Sequence, residues 1–473
     1  MTREREAVAE GAAQWLDKVQ DWLRIPSVSA DPGHHGDVAA SAHYLAEWLR
    51  QSGFPQVEVW DEGPALPAVW AHWPSGDPDA VRVTVYGHHD VQPAEPSEDP
   101  AARWIHPPFE PTIEDGVLYG RGASDDKGNI AMHLLGVQAH LAATGRTAPA
   151  VDLTLLVEGE EESGSAHIAE LLESHRHQLE TDVIVVSDTG LFGAGTPSIC
   201  VGMRGLVGGQ LHVHGPDIDL HSGVFGGAVP NPLTEMARIL ASLHDADHRI
   251  TVPGFYDGVI EPTPEERAAT AALPFDESAF LSGPASSRAA VGEEGWSTLE
   301  RIGIRPTAEI NGMWGGYTGP GGKTIVPTDA YAKLSFRLVG HQDPATIQRL
   351  VSEFLEGAAS PGIEVTMEWE GAGVAPVHVS TTHPATQATR AAVGLAFDTD
   401  TVLLTREGGS GPEAQLAASM DAPLVFLGVM LDDDQIHAPN EKTAVDRLIK
   451  GCEATAYMYA GLAAIGREGL REA

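Results

Sequence analysis

Cysteine is nearly absent: the 473-residue chain has two, Cys200 and Cys452. That excludes a disulfide framework and a cysteine-based zinc site, and leaves two buried free thiols in a reducing compartment as the reading. Long apolar runs are missing too, since no window approaches the roughly 18 consecutive apolar residues of a membrane span. The opening "MTREREAVAEGAAQWLDKVQDWLRIPSVSAD" carries charges where a signal peptide needs its apolar stretch. Its Val8, Trp15, Leu16, Val19, Trp22 and Leu23 fit one face of an amphipathic helix instead. A cytoplasmic location is expected. Basic residues are few, 29 against 67 acidic for a net charge of −38, which disfavours nucleic acid or an anionic membrane as partner. Three motifs are also lacking. No serine sits in G-x-S-x-G, the nucleophile elbow. No H-E-x-x-H exists. "GGYTGPGGKT" is no phosphate loop, because the position five before Gly322 is Tyr317.

What is present is ordinary globular composition, 42% hydrophobic and 20% charged, at a length that suggests two or three domains. Up to about residue 206, helical stretches such as "HYLAEWLRQSG" and "NIAMHLLGVQAHLAATG" alternate with strand-like "VRVTVYG", "VDLTLLVEG" and "DVIVVSD". That pattern predicts a doubly wound α/β sheet, whose ligands bind at loops leaving the strands' carboxyl ends. Residues 207–379 read differently, as β-α-β-β-α-β around a proline-punctuated insertion near 250–305, the split βαβ arrangement. The α/β pattern then resumes over 380–473 with "THPATQATRAAVGLAF", "APLVFLGVM" and a closing helix. The expected architecture is one catalytic domain in two pieces, 1–206 and 380–473, interrupted by an inserted α+β domain.

Where "VDLTLL" ends, "LVEGEEESGS" crowds Glu158, Glu160, Glu161 and Glu162. Like charges about 4 Å apart repel by roughly 4 kcal/mol at a surface-like dielectric, so the cluster either splays into water or faces a cation. Other acids and imidazoles stand at strand ends or helix starts: His88 and Asp90 in "YGHHDVQP", Asp125 and Asp126 in "GRGASDDKGN", Asp188 in "VVSDTG", His437 in "DDDQIHAPNEK". Zinc and manganese accept such ligands, and two divalent ions about 3.5–4 Å apart can clamp a hydrolytic water. Taken singly, each segment has a plain reading. "SDDKGN" could be a helix N-cap, "EGEEESGS" a solvated helix start and "DDDQ" a polar loop. Their conjunction in one α/β domain is what favours a metal centre.

These motifs, in this order, resemble the M20 family of dinuclear zinc peptidases. The further segments "DLHSGVFGG", "GGYTGPGGKT", "FRLVG" and "TREGGSGPE" bring the chain nearest the dipeptidase and carnosinase branch. The resemblance spans nearly the whole chain. It implies that His88 and Asp188 hold one ion, Glu162 and His437 the other, and that Asp125 bridges both. Zinc is the first expectation, with manganese or cobalt as alternatives. Asp90 would orient the metal-binding histidine, and Glu161 would be the general base toward a water between the metals. A cis Asp125–Asp126 peptide is implied as well. The inserted domain would act as lid and dimerisation element. It would offer His221 to a partner's oxyanion, Arg337 to the substrate carboxylate, and Asn311 and Thr324 near the bound dipeptide. Ser410 and Gly411 match further positions near that dipeptide. Three departures stand out. His89 follows His88 but points to the other side of an extended chain and is left out. Glu160 adds negative charge near the metals, and Ala438 replaces a more usual Ser or Gly.

The expected activity is hydrolysis of dipeptides or short peptides with a free carboxyl terminus, by a homodimer. An N-acyl- or N-carbamoyl-amino-acid amidohydrolase would use the same metals and arginine. A catalytically dead binding protein would have lost the base or a ligand, and none is lost.

Overall fold

The computed structural model describes residues 2–94, 103–283, 285–409 and 411–471. The chain forms two compact units. One comprises Met1–Val201, Val379–Thr405 and Gly411–Ala473; the other comprises Gly202–His378 and Arg406–Ser410.

The first unit is a mixed α/β fold around a six-stranded sheet in the order Gln56–Trp60, Ala68–Trp73, Asp152–Glu158, Arg82–His88, Val183–Val186, Leu424–Phe426. The last four run parallel. Their aliphatic, β-branched sequences are buried almost without interruption, as central strands covered on both faces must be. In the register they adopt, Tyr86 lies beside Leu156 and Val186, and His88 beside Glu158. Three neighbouring strands therefore end within two residues of one another, and the loops after His88, Glu158 and Val186 leave from one edge.

Two strands, Gln56–Trp60 and Ala68–Trp73, form an antiparallel hairpin on the sheet's edge, which the alternating pattern did not anticipate. The strand expected across "APLVFLGVM" shortens to Leu424–Phe426. At Gly428 the backbone passes so close to Thr189 that an added Cβ would lie 1.9 Å from its carbonyl oxygen, and regular pairing stops until Met430 bridges Gly190. Helix Arg3–Leu23, capped by the Thr2 hydroxyl, packs on Lys127–Thr144, which packs on Val445–Arg471. The middle helix is buried nearly all round, which suits its apolar composition.

The second unit is an antiparallel sheet ordered Thr307–Gly315, Asp329–Leu338, Gly205–His214, Glu364–Trp369, with helices Pro232–Ala241 and Pro344–Gly357 against it. Burial alternates along the two central strands. Val207, Leu211, Val213, Ala330, Leu334 and Phe336 meet Met236, Ile347 and Val351 in its core. One long strand was expected over "TIVPTDAYAKLSFRLVG". Instead Ile325–Val326 pairs with Leu220–His221, and the sheet strand starts only at Asp329. Pro327 stands at the break and has no N–H for a ladder. Among its described residues the 250–305 insertion holds the short helices Pro264–Ala271, Glu277–Ser282 and Thr298–Gly303. The first and last start with capping boxes (Thr263 with Glu266, Ser297 with Glu300).

Candidate metal centre

At this edge of the first unit's sheet, side chains far apart in sequence converge. His88 closes its strand fully buried; its Nδ1 donates to the Asp90 carbonyl at 3.1 Å and lies 3.4 Å from the Asp90 carboxylate. That aims Nε2 at Asp125 Oδ1, 3.1 Å away, and at Asp188 Oδ2, 3.8 Å away. The other Asp125 oxygen is 3.1 Å from His437 Nε2, which is also 3.1 Å from Glu162 Oε2. Potential ligand atoms of His88, Glu161 and Asp188 lie within 4.8 Å of one another, and so do those of His88, Asp125 and Glu162. Asp90 ties the loops together, since its carboxylate accepts the N–H groups of Glu161 at 3.2 Å and Glu162 at 3.0 Å. The Asp125–Asp126 peptide is cis. His437 sits in a turn at φ 59° and is half exposed.

Electrostatics separates these groups. Burial, with Glu162 and Glu158 nearby, pushes Glu161 up to about 8 against the pull of His88. Burial and then Asp125 hold Asp188 well above the carboxylate range. Burial likewise lifts Asp126 to about 8 and Glu158 to about 7. Burial opposes a proton on His88, but Asp125 and Asp90 outweigh it and raise the imidazole. Asp125 and Glu162 raise His437 to about 10. Carboxylates that hold protons near neutrality, beside imidazoles that gain them, are what an oxygen- and nitrogen-rich cation site becomes when protons do the ion's work. Asp126 Oδ1 is also buried without a hydrogen-bond partner. The donor set is the hard and borderline one that divalent zinc, manganese or cobalt accept.

Several contributors had no role in the sequence reading. Glu441, fully buried, accepts the N–H groups of Gly122, Ser124 and Asp125 at 3.1, 3.0 and 3.1 Å, and an Arg121 Nη1 bond at 2.7 Å. It therefore fixes the loop that carries Asp125. Its only signal was a glutamate four residues after His437. Asp434 belongs to "DDDQ", expected as a polar loop, yet it is buried, accepts the Ser124 hydroxyl at 2.8 Å and pairs with Arg447. Buried His133 bridges Tyr459 at 2.7 Å and Ser187 at 2.6 Å, next to Asp188. Two further expectations also change. Asp126 heads its helix without a capping hydrogen bond, because its carboxylate accepts the His88 N–H at 3.2 Å instead. Glu160, expected to add charge near the metals, is turned onto His167 Nδ1 at 2.9 Å and the N–H groups of His167 and Leu66 at 2.8 and 3.2 Å. His89 points away, its Nε2 2.8 Å from the Pro67 carbonyl, and burial lowers its pKa to about 4.

The family profile of "Peptidase family M20/M25/M40" matches residues 84–460, which span the site from beside His88 to beyond His437. The chain belongs to this family. Among M20/M25/M40 relatives, the Cys-Gly metallodipeptidase DUG1 of Candida albicans is 29% identical over 470 residues, 95% of this chain and 94% of that one. The human Beta-Ala-His dipeptidase is 30% identical over 490 residues, covering 97% and 93%. The solved structure of the dipeptidase Dug1p from Saccharomyces cerevisiae superposes with a TM-score of 0.77 at 26% identity, covering 98% of each chain.

The remaining candidate residues of this M20/M25/M40 peptidase lie mostly in the second unit. His221 pairs with Ile325, and the Ser222 N–H donates to the Thr324 carbonyl at 3.0 Å, so His221 and Thr324 are neighbours there. Asn311 is the extra residue of a bulge between Ile310 and Gly312. Arg337 faces Leu206 across the sheet, and burial lowers its pKa. Arg204, which the sequence reading passed over, is lowered to about 10 by burial and by repulsion from Arg337. Gly411 belongs to the first unit and packs on the Glu413 carboxylate, where a Cβ would come within 2.7 Å of Oε1. Ser410 lies outside the described residues.

Proposed function

We propose that this chain is a metal-dependent dipeptidase that hydrolyses dipeptides or short peptides with a free C-terminal carboxylate. The convergence of His88, Asp125, Glu161, Glu162 and Asp188 at one edge of the sheet carries the reading, together with membership of the family. His88 and Asp188 would hold one ion, Glu162 and His437 the other, and Asp125 both; zinc suits these donors first, with manganese or cobalt possible. Two such ions, when bound, lower the pKa of a water and polarise the scissile carbonyl. The chain supplies the rest. Glu161, kept basic by burial among carboxylates, accepts the proton of the attacking water and returns it to the leaving amine. Asp90 fixes the base by holding the Glu161 N–H, and it turns His88 so that Nε2 faces the site.

The second unit is the inserted lid and dimerisation domain in this reading, between catalytic pieces 1–206 and 380–473. Arg337 grips the substrate carboxylate, and His221 of a second copy steadies the developing oxyanion. Asn311, Thr324, Ser410 and Gly411 line the dipeptide. Exposed Val224, Phe225, Met313, Trp314 and Tyr317 give this unit apolar surface that a homodimer would cover. No described helix is long and apolar enough to cross a membrane. The two buried free cysteines support a cytoplasmic location.

The deciding experiment compares wild type with Glu161→Gln. The variant should keep its metal content and lose 10²–10⁴-fold or more in turnover of a dipeptide library, the scale of a positioned general base (~10²–10⁴). Retained turnover removes Glu161 as base. A preference for N-acyl or N-carbamoyl amino acids over the library would overturn the substrate class.

A further inference from the structure

The sheet of the second unit carries a group of metal-type ligands that the proposed chemistry does not use. His212 and His214 are two apart on strand Gly205–His214, so both face the same side, the one turned away from the core residues Leu211 and Val213. Asp329, the first residue of the neighbouring strand, stands directly opposite His214. Its Oδ1 lies 2.7 Å from His212 Nε2 and 2.9 Å from His214 Nδ1. Ligand atoms of the three residues lie within 4.8 Å of one another. On the other side of His214, directly opposite it in the next strand, is exposed Glu364. One row across three strands thus reads Asp329, His214, Glu364, with His212 beside it.

We propose that His212, His214 and Asp329 form an additional binding site for a divalent transition-metal ion of the zinc class, with Glu364 or water completing the coordination. Zinc takes imidazole nitrogen and carboxylate oxygen at about 2.0–2.2 Å in tetrahedral sets. The two nitrogens already converge on one carboxylate oxygen, so small side-chain rotations suffice. The rings are held in place: His212 stacks on Tyr331 with centroids 4.6 Å apart and planes 7° apart, and Tyr331 stacks on Trp314 at 5.5 Å and 15°. Asp329 is anchored by the Thr328 side chain as well as by the two histidines. An ion pair between half-exposed groups would by itself contribute little, whereas two imidazoles and a carboxylate preset on a rigid sheet form a chelate. The site lies wholly within the second unit and does not depend on the catalytic reading.

The test loads the full-length protein with Zn2+, dialyses it against metal-free buffer and counts zinc per chain by mass spectrometry. Wild type should hold one zinc more than His214→Gln and one more than Asp329→Asn, with dipeptide turnover unchanged in both. An Asp188→Asn chain, altered in the other cluster, should still lose one zinc when His214→Gln is added, which separates this site from the catalytic one. Circular dichroism checks that each variant is folded, and Co2+ titrations read by visible absorption should show one equivalent more taken up by wild type than by His214→Gln. Equal zinc counts in wild type, His214→Gln and Asp329→Asn overturn the proposal.

Discussion

A buried carboxylate is costly unless hydrogen bonds or cations surround it, and the residues around the cluster show two answers to that problem. Glu441 is the hydrogen-bonded kind, ringed by three backbone N–H groups and Arg121. Glu161 and Asp188 are the other kind, held high in pKa first by burial and then by neighbouring acids; burial raises Glu441 as well, but those N–H groups and Arg121 pull against that. Glu441→Gln should therefore act twice. Loss of one partner of a buried pair leaves Arg121 uncompensated and costs on the order of 3–5 kcal/mol, read as a lower denaturation midpoint. The Asp125 loop also loses its anchor, so metal affinity should fall about 10–100-fold, as for other groups that orient ligands. Stability and metal affinity both equal to wild type would mean that Glu441 does not position the loop. Glu160 shows why composition near a site misleads. It sits in the same acidic run, yet His167 and two N–H groups occupy its carboxylate.

Helix Lys127–Thr144 and helix Val445–Arg471 meet at glycines. A Cβ on Gly136 would lie 1.8 Å from Thr455 Oγ1, and one on Gly451 1.8 Å from Met132 Sδ. Alanine favours a helix over glycine by about 1 kcal/mol, so an isolated helix would gain from Gly136→Ala. In this pair the added methyl must push the helices apart, and overpacking of that kind costs about 1–3 kcal/mol. Gly136→Ala is expected to lower the midpoint of chemical denaturation; a rise would show that the helices can separate at little cost. Because the first of these helices begins directly after Asp125 and Asp126, the same change should weaken metal binding measurably.

The charges of the first unit act together. Asp126, Glu158, Glu161 and Glu413 are lifted to about 8, 7, 8 and 7, each chiefly by burial. Between their unfolded values near 4 to 4.5 and those folded values, the folded chain binds more protons than the unfolded one. Their contribution to the stability of metal-free protein therefore falls as pH rises through that window. His437, raised to about 10 by Asp125 and Glu162, works in the same direction: its contribution is complete below its unfolded value near 6.5 and is lost as pH climbs toward 10. Divalent ions replace those protons. The rise in melting temperature on adding Zn2+ to chelator-treated protein should thus be several degrees larger at pH 8 than at pH 5.5. Buried His89 and His133, lowered to about 4 and 3 by burial, destabilise both forms alike toward acid and drop out of the difference. A metal-induced shift that does not grow with pH would contradict the idea that protons and ions compete for this cluster.

Much was readable in one dimension. Apolar runs such as "VRVTVYG", "VDLTLLVEG" and "DVIVVSD" marked the buried parallel strands, because only strands covered on both faces lack the polar alternation. The acidic crowd after one of them could be stable only with a positive charge nearby, which was enough to suggest metals. The alternating "LVGGQLHVHG" and "AYAKLSFRL" match the alternating burial of the second unit's two central strands. What remained hidden depended on contacts between distant segments: the antiparallel edge hairpin, the break at Pro327, Glu441 on the Asp125 loop, His133 behind Asp188. The His212–His214–Asp329 group belongs with these. Periodicity places two histidines on one face, but strand pairing alone decides which residue stands opposite them, and pairing is a property of register in three dimensions.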